Sequence, residues 1–526
     1  MSGVAFSAPH KEAAEIGLKV LEKGGNAVDA MIAAAAAISV LYPHMNSLGG
    51  DGFWLIHRPG EAPQAIDACG TAAERATVAF YRDRGLEAIP SRGALSALTL
   101  GGTVSGWSRA RALAGQYDPL TPLTQLLKPA VDLARNGINV TESLAAASAK
   151  VASELESEGE YRNVFTRDGV PLREGETLRN PELADFLTQL ADQGLESFYR
   201  GDIARHLAAE LETLGSPLRL SDFEQFHARR VAPLSVATRF GRAYNLPAPT
   251  QGLASLMILG LYDRVYQPHW SEAQRVHALV EATKLAFEVR DREVADPRYM
   301  ETLSQRWLDD ERLDTLALRM TDTAAPWPRP AEPGDTVWMG CVDRNGVLVS
   351  FIQSIYWEFG SGVVIPGTGL VWNNRGVSFR LDESHHNVLR PGARPFHTLN
   401  PAMILLDDGR RLSYGTMGGE GQPQTQSALL TRYLYDGIPL DESIRRGRWL
   451  LGRTWGDADD DLKLEADLAE HIGAALVAKG HRLKTLPEHS ELMGHAGAVL
   501  SLSTGVVSAV SDPRSDGAGL TGRYDS

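Results

Sequence analysis

Thr321-Asp-Thr-Ala-Ala-Pro-Trp-Pro-Arg-Pro-Ala-Glu-Pro-Gly-Asp335 runs directly into Thr336-Val-Trp-Met-Gly-Cys-Val-Asp343, then Arg344-Asn345-Gly346, then Val347-Leu-Val-Ser-Phe-Ile-Gln-Ser354. The first fifteen residues carry four prolines. Proline lacks an N–H and clashes with the preceding helical turn, so this stretch reads as an extended, exposed linker over 321–335. The two runs after it alternate β-branched and aromatic residues around an Asn-Gly pair, a strong hairpin signal. A two-residue loop at Asn345-Gly346 sets Arg344 opposite Val347 and, counted back, Val337 opposite Ser354. The linker is the sharpest boundary in the chain, and texture changes across it.

On its N-terminal side, residues 9–23 place Ala13, Ile16 and Val20 on one helical face, with Lys23 and Gly24 as a stop signal. A mostly buried helix follows Gly25-Asn26. The loop Leu48-Gly-Gly-Asp-Gly52 then leads into a strand pair, Phe53–Arg58 and Gln64–Asp67, turning at Pro59-Gly60. From 104 to 320 the pattern is dominantly helical, with periods at 122–136, 139–159, 181–194, 198–214 and 272–293. On the C-terminal side, strands are expected near 402–406, 411–415, 482–486 and 505–511, and helices at 423–437 and 467–479. No repeat of 20 to 50 residues is present.

Composition narrows the class. The 526 residues are 43% hydrophobic and 22% charged, an ordinary globular balance that suggests three to four domains by length alone. Lys and Arg number 52 against 66 Asp and Glu, and the net charge of -14 argues against nucleic acid or an anionic membrane as partner. A small molecule fits better. Cys69 and Cys341 are the only cysteines, too few for a disulfide framework. The first ten residues show no basic or apolar export signal, and the apolar run 30–42 is too short for the ~20 residues of a membrane span, so a cytoplasmic location is expected.

Familiar motifs are missing. There is no GxxxxGK[ST], no GxGxxG after a strand and no GxSxG, so no cofactor is expected. His385-His386 reads as a surface loop, because adjacent histidines usually point apart and no carboxylate spacing accompanies them; no metal is assigned. Gly418-Gly419-Glu420-Gly421 lies just before Pro423, a residue suited to the first turn of a helix. Its backbone N–H groups would then sit near a positive helix end, as a candidate oxyanion site.

Taken together, Gly24–Ala30, Pro43-His44 with Leu48–Phe53, the linker ending at Asp335-Thr336, Phe359–Gly362, Trp372-Asn373-Asn374, Met417–Gly419 and Ser511-Asp-Pro-Arg514 resemble the γ-glutamyltransferase family of N-terminal-nucleophile hydrolases, in family order. The resemblance implies an α/β fold, a four-layer αββα sandwich with a helix-rich large subunit and a β-rich small one. It implies a precursor that cuts itself between Asp335 and Thr336 into a large subunit, 1–335, and a small subunit, 336–526. The two fragments would form one intertwined catalytic domain, a heterodimer open to further dimerisation. Thr336 is then the nucleophile. Its freed α-amine, with a reference pKa of ~7.7 to 8.0, would be a base on the same residue as the hydroxyl. By the same alignment Ser354 supports the nucleophile, with its hydroxyl expected to meet the Thr336 amine, and Gly418 and Gly419 supply the oxyanion hole. Asn373 and Asn374 either shape the pocket floor or are turn residues.

The sequence departs from this family where glutamate is recognised. Cys69 stands at the position of the arginine that holds the glutamyl α-carboxylate, and Ser378 at that of the aspartate that binds the α-amine. His397-Thr398 replaces a serine pair, while Tyr356 and Arg375 occupy Asn and Gln contacts. Losing such pairs removes on the order of 2 to 5 kcal/mol each. A smaller acidic amide is expected instead, with Arg375 or His397 holding its carboxylate and Thr398, Tyr356 and Asn374 lining the site. The segments Asp335–Gly340 and Gln353–Glu358 look most like the oxamate amidohydrolase branch, which serves purine and allantoin nitrogen metabolism by turning oxamate into oxalate and ammonia. The alternatives are a γ-glutamyl hydrolase or transferase, a cephalosporin or glutaryl acylase, and a non-cleaving scaffold.

Overall fold

The computed structural model describes residues 3–327, 335–452 and 460–524, with the backbone but not the side chain of Asp335. Most of the proline-rich stretch, 328–334, lies outside the described residues. Its first part, 321–327, forms neither helix nor strand and is largely exposed.

Two antiparallel sheets lie at the centre. The first runs in the order Ala518–Arg523, Gly3–Ala8, Asp335–Val342, Leu348–Tyr356, Asp51–His57, Gln64–Ala68, Arg229–Val231. The second runs Val507–Ser511, Ala496–Ser501, Arg411–Thr416, Ala402–Leu406, Gly241–Asn245, Leu234–Thr238. The hairpin that opened the sequence reading therefore sits in mid-sheet, and strands from both sides of the linker interleave. Each of the two sheets takes strands from before and after the linker, so the linker does not separate two independent sheets.

Strand alternation sorts side chains into three hydrophobic layers. Val337, Met339 and Cys341 face outward against the helices Lys11–Glu22 and Ala27–Leu41, together with Trp54 and Ile56. Trp338, Val342, Phe53 and Leu55 face inward and meet Met403 and Val499 of the second sheet. On the far side, Ile404, Leu412 and Tyr414 pack against the helices Gly252–Val265, Glu272–Glu293 and Gln422–Leu434. Helix, sheet, sheet, helix is the αββα sandwich. All fifteen residues of Ala27–Leu41 are buried, which its alanines and short apolar side chains permit on every face. Trp338 fills the inter-sheet layer because glycines make room for it. A Cβ at Gly415 would lie 2.2 Å from its ring, and one at Gly497 2.5 Å.

The hairpin corrects one expectation. Asp343 pairs with Val347, Gly346 donates to the Asp343 carbonyl at 2.9 Å, and Gly346 is left-handed with φ 74°. The loop has three residues, Arg344 to Gly346, and the register moves by one, so Val337 faces Gln353 and not Ser354. The strands Arg229–Val231, Leu234–Thr238 and Gly241–Asn245 interrupt the stretch read as helical, and the helix Gly252–Val265 was not anticipated there. His385 and His386 are in a loop as expected, but half-buried with their rings stacked at 4.4 Å rather than turned apart.

Candidate active site

Thr336 opens the strand that the linker feeds. Between Asp335 and Val337 the ladder slips: Asp335 faces Tyr356 while Val337 faces Gln353, so Ser354 and Ile355 together oppose Thr336. This β-bulge re-aims the strand end, as bulges beside active sites do. Thr336 shares the strand parity of Trp338 and so faces the second sheet. It is fully buried, and its Oγ1 has no hydrogen-bond partner among the described residues. An orphaned buried hydroxyl costs stability and calls for a reason; a nucleophile awaiting its base is one. Ser354 is beside it, with Oγ accepting from the Tyr356 N–H at 2.8 Å. The observed register, one residue away from the expected one, thus sets Ser354 opposite Thr336, and the bulge adds Ile355 beside it.

The strand end is bent sharply. Tyr356 and Phe359 have φ of 86° and 56°, a strained region for side-chain-bearing residues that is held here by the surrounding packing. Gly50 passes so close to this turn that a Cβ would lie 2.1 Å from the Ser354 carbonyl oxygen. Only glycine fits there. The Tyr356 ring then serves as a platform for Arg375, whose guanidinium carbon lies 3.7 Å from the ring centroid. Both terminal nitrogens of Arg375 donate to Thr398 Oγ1 at 3.3 Å, and the side chain is buried. A stacked, forked guanidinium beside a hydroxyl suits a planar carboxylate.

His397 belongs to a different unit. Its Nε2 lies 2.8 Å from Asp51 Oδ2, while Nδ1 accepts from the Leu399 N–H at 3.4 Å. Nδ1 therefore needs its lone pair, and Nε2 carries the proton that Asp51 accepts. Burial, and secondarily Arg375, hold His397 well below the usual histidine range. His397 is thus held toward its neutral form and bonded to Asp51, which does not favour the expected cationic grip on a substrate carboxylate. Asp51 Oδ1 also accepts from the amides of Gly70 at 2.8 Å and Gly102 at 3.3 Å, while burial pushes its carboxyl up to about 7. Cys69 completes the cluster, its thiol pushed up by burial and then by Asp51 and Asp67. Asp51, Cys69 and His397 hold ligand atoms within 4.8 Å of one another, yet a protonated thiol and an imidazole already bonded at both nitrogens make a poor metal set.

Asn374 is bonded at both ends of its amide. Its Oδ1 accepts from Trp357 N–H at 3.2 Å and its Nδ2 donates to Ser91 O at 2.9 Å, so it fastens the bent strand end. Asn373 ties the glycine loop to the site, donating to Gly49 O at 2.8 Å and accepting from Thr99 Oγ1 at 2.7 Å and the Arg375 N–H at 3.0 Å. The expected turn role of both asparagines is the one the hydrogen bonds favour.

Across the site, the strand Arg411–Thr416 ends and Gly418 turns left-handed with φ 114°. Gly419 opens a short 3-10 turn that runs into the helix Gln422–Leu434, which has proline in its first turn. The two amides therefore sit just ahead of a helix N-terminus, where backbone N–H groups favour negative charge. Neither amide donates to a protein acceptor among the described residues. Three residues that the sequence reading left without a role, Asp51, Thr99 and Gln251, hold this assembly together. Asp51 had a visible signal: a carboxylate inside a glycine-rich loop next to an apolar strand must find buried donors.

The chain matches the gamma-glutamyltranspeptidase family model over residues 13–522. The oxamate amidohydrolase proenzyme of Klebsiella pneumoniae is 50% identical over 516 residues, covering 97% of each chain. A glutathione hydrolase-like proenzyme of Bacillus subtilis is 37% identical over the same share of each. Among solved structures, a cephalosporin acylase from Bacillus halodurans superposes with a TM-score of 0.89 at 30% identity, covering all of this chain and 96% of that one. With fold and relatives in agreement, the chain belongs to the gamma-glutamyltranspeptidase family and is an amide hydrolase of N-terminal-nucleophile type.

Proposed function

We propose that the chain is a precursor that cleaves itself before Thr336 and then hydrolyses a small acidic amide, oxamate foremost, to oxalate and ammonia. The buried, unpartnered Thr336 hydroxyl at the bulged strand end is the observation that carries this reading. In the precursor, Thr336 Oγ1 attacks the Asp335 carbonyl carbon. The acyl group moves from nitrogen to oxygen, which breaks the C–N bond and frees the α-amine, and water then hydrolyses the ester to release the Asp335 carboxylate and the Thr336 hydroxyl.

In turnover that amine takes the hydroxyl proton as Oγ1 attacks the amide carbon. The amides of Gly418 and Gly419 receive the oxyanion, and Ser354 steadies the nucleophile. On collapse the C–N bond breaks, the ammonium form of the amine returns its proton, and ammonia leaves. Water, deprotonated by the same amine, then releases the acyl group as oxalate. Arg375, aligned by Tyr356 and Thr398, holds the substrate carboxylate. Half-identity to an oxamate amidohydrolase supports the choice of substrate. The likeness to a cephalosporin acylase supports a second reading, an acylase for a larger amide.

Intact mass combined with an ammonia-release panel tests both parts. Fragments beginning at Met1 and Thr336, Thr336→Ala uncut and inactive, and turnover of oxamate are expected. An uncut chain that still hydrolyses amides would overturn the nucleophile. Turnover of a γ-glutamyl anilide or a glutaryl amide with none of oxamate would overturn the substrate.

A further inference from the structure

We infer that Gln251 is a positioning residue that fixes the gap between the glycine loop at 418–419 and the Arg375–Thr398 side of the site, so that the enzyme prefers amides whose carboxylate adjoins the reacting carbon. The inference rests on the oxyanion and carboxylate roles proposed above and adds what sets their spacing.

Gln251 is the residue from which the helix Gly252–Val265 starts, but its side chain makes no capping bond to that helix. It is fully buried and turned toward the site. Nε2 donates at 2.7 Å to the Thr398 carbonyl and at 2.7 Å to the Gly419 carbonyl. Oε1 accepts from Arg290 Nη1 at 3.0 Å, and Arg290 Nη2 reaches Glu420 Oε2 at 2.8 Å. Because arginine only donates and carbonyls only accept, the orientation of the amide follows without ambiguity. The backbone joins the same seam: Gln251 N–H donates to His397 O at 2.9 Å, and His397 N–H donates to Pro249 O at 2.9 Å.

One carboxamide thus holds a carbonyl from each wall of the site. Two 2.7 Å bonds diverging from one planar nitrogen leave those carbonyl oxygens about 4.5 to 5 Å apart. Thr398 is the residue whose hydroxyl meets Arg375, and Gly419 carries one of the two oxyanion amides. Arg290, itself buried, stops the amide from turning and ties it to Glu420, the next residue along the glycine loop. In oxamate the carboxylate and amide carbons are bonded directly, so a substrate anchored at Arg375 has no methylene to absorb a wider gap. A misplacement of 1 Å at a reacting centre is worth about 100-fold in rate.

The test compares wild type with Gln251→Met, similar in size but without the amide, and Gln251→Glu, which keeps an acceptor for Arg290 and loses both donors. Processing is checked by mass, and kcat/KM for ammonia release is measured on oxamate, malonamate and succinamate. The expected result is a loss of about 100-fold on oxamate in both variants, with succinamate falling far less, so that the oxamate preference drops at least about tenfold. A purely structural role would lower the three substrates by one common factor. That result, or unchanged oxamate turnover, overturns the inference, as does failure of both variants to give soluble processed protein. A wild type that ignores oxamate overturns the substrate reading alone, and the preference is then read between the shortest and longest acidic amides it does hydrolyse. A wild type inert on all three overturns both.

Discussion

Replacing Arg375 separates carboxylate recognition from amide chemistry. The guanidinium is buried, stacked 3.7 Å over Tyr356 and bonded through both terminal nitrogens to Thr398, so it presents a fixed fork in a low-dielectric site. Arg375→Met keeps most of the aliphatic volume on Tyr356 and removes the charge. Truncating one member of a desolvated charge pair costs on the order of 2 to 5 kcal/mol, which at 1.36 kcal/mol per decade is a loss of about 30- to 5,000-fold in kcat/KM for oxamate. Arg375→Lys retains the charge without the fork and is expected between Met and wild type. The assay is ammonia release from oxamate and, in parallel, from oxamide, which has the same reacting amide and no carboxylate. Oxamide should change by no more than a few fold. Equal losses on the two substrates would refute the recognition role and make Arg375 a structural cation. Full oxamate activity in Arg375→Met would refute it outright.

Three further outcomes follow from the packing and the charges. In the uncut Thr336→Ala background, Trp338→Ala should lower unfolding stability by about 3 to 5 kcal/mol, read from urea denaturation, because it empties the slot formed by Gly340, Gly415 and Gly497; a loss below 1 kcal/mol would contradict that packing. Gly50→Ala places a Cβ 2.1 Å from backbone at Ser354 and should block or strongly slow self-cleavage, seen as persistence of the full-length band, whereas normal processing would show that the loop can retreat. Burial raises Asp51 to about 7, above the ~3.9 of an unfolded aspartate, so the folded state favours its proton: the associated stability is full below pH ~4 and is lost as pH rises through 7, on the order of 2 to 3 kcal/mol between pH 5 and 8. Asp51→Asn abolishes this term, so thermal melts of wild type should weaken from pH 5 to 8 relative to the variant, and parallel pH profiles would count against it.

What could be read in advance was what local chemistry writes. The linker shows in its prolines, the hairpin in Asn345-Gly346, and the oxyanion candidate in Gly418-Gly419 ahead of Pro423. The loop length was not legible, because Asn-Gly suits both a two-residue turn and the three-residue loop with left-handed Gly346 that forms here. That difference of one residue shifts the ladder and itself sets Ser354 opposite Thr336, where the two-residue turn would have set Ile355; the bulge then adds Ile355 beside it. The strands 229–245 were hidden because Arg229–Val231 is three residues long and is followed at once by a Pro-containing turn. Gln251 was invisible for another reason. A glutamine ahead of an apolar helix reads as an ordinary helix start, and nothing local says that its amide will meet carbonyls at 398 and 419.

The departures from glutamyl recognition converge in space. Resemblance places the α-carboxylate grip at Cys69 and further contacts at His397, and these two residues meet at Asp51, with ligand atoms of all three within 4.8 Å. Donors nearby face carboxylates already present: His397 Nε2–H and the amides of Gly70 and Gly102 point at Asp51, and Arg394 faces Asp67 at 3.7 Å. A second carboxylate brought here would compete with Asp51 and Asp67 for these donors and would face Asp51 across a buried gap, an arrangement that like charges at close range disfavour. Arg375, by contrast, offers a cation on the other side of Thr398, close enough to His397 and Asp51 to shift both of their proton affinities. The proposed carboxylate grip at Arg375 fits this arrangement, since Asp51 with His397 occupies the surroundings of Cys69. On that argument, restoring Arg at 69 alone should not recover glutamyl turnover, since the new guanidinium would pair with Asp51 and Ser378 would still leave the α-amine without a carboxylate; release of a γ-glutamyl anilide by Cys69→Arg would refute it.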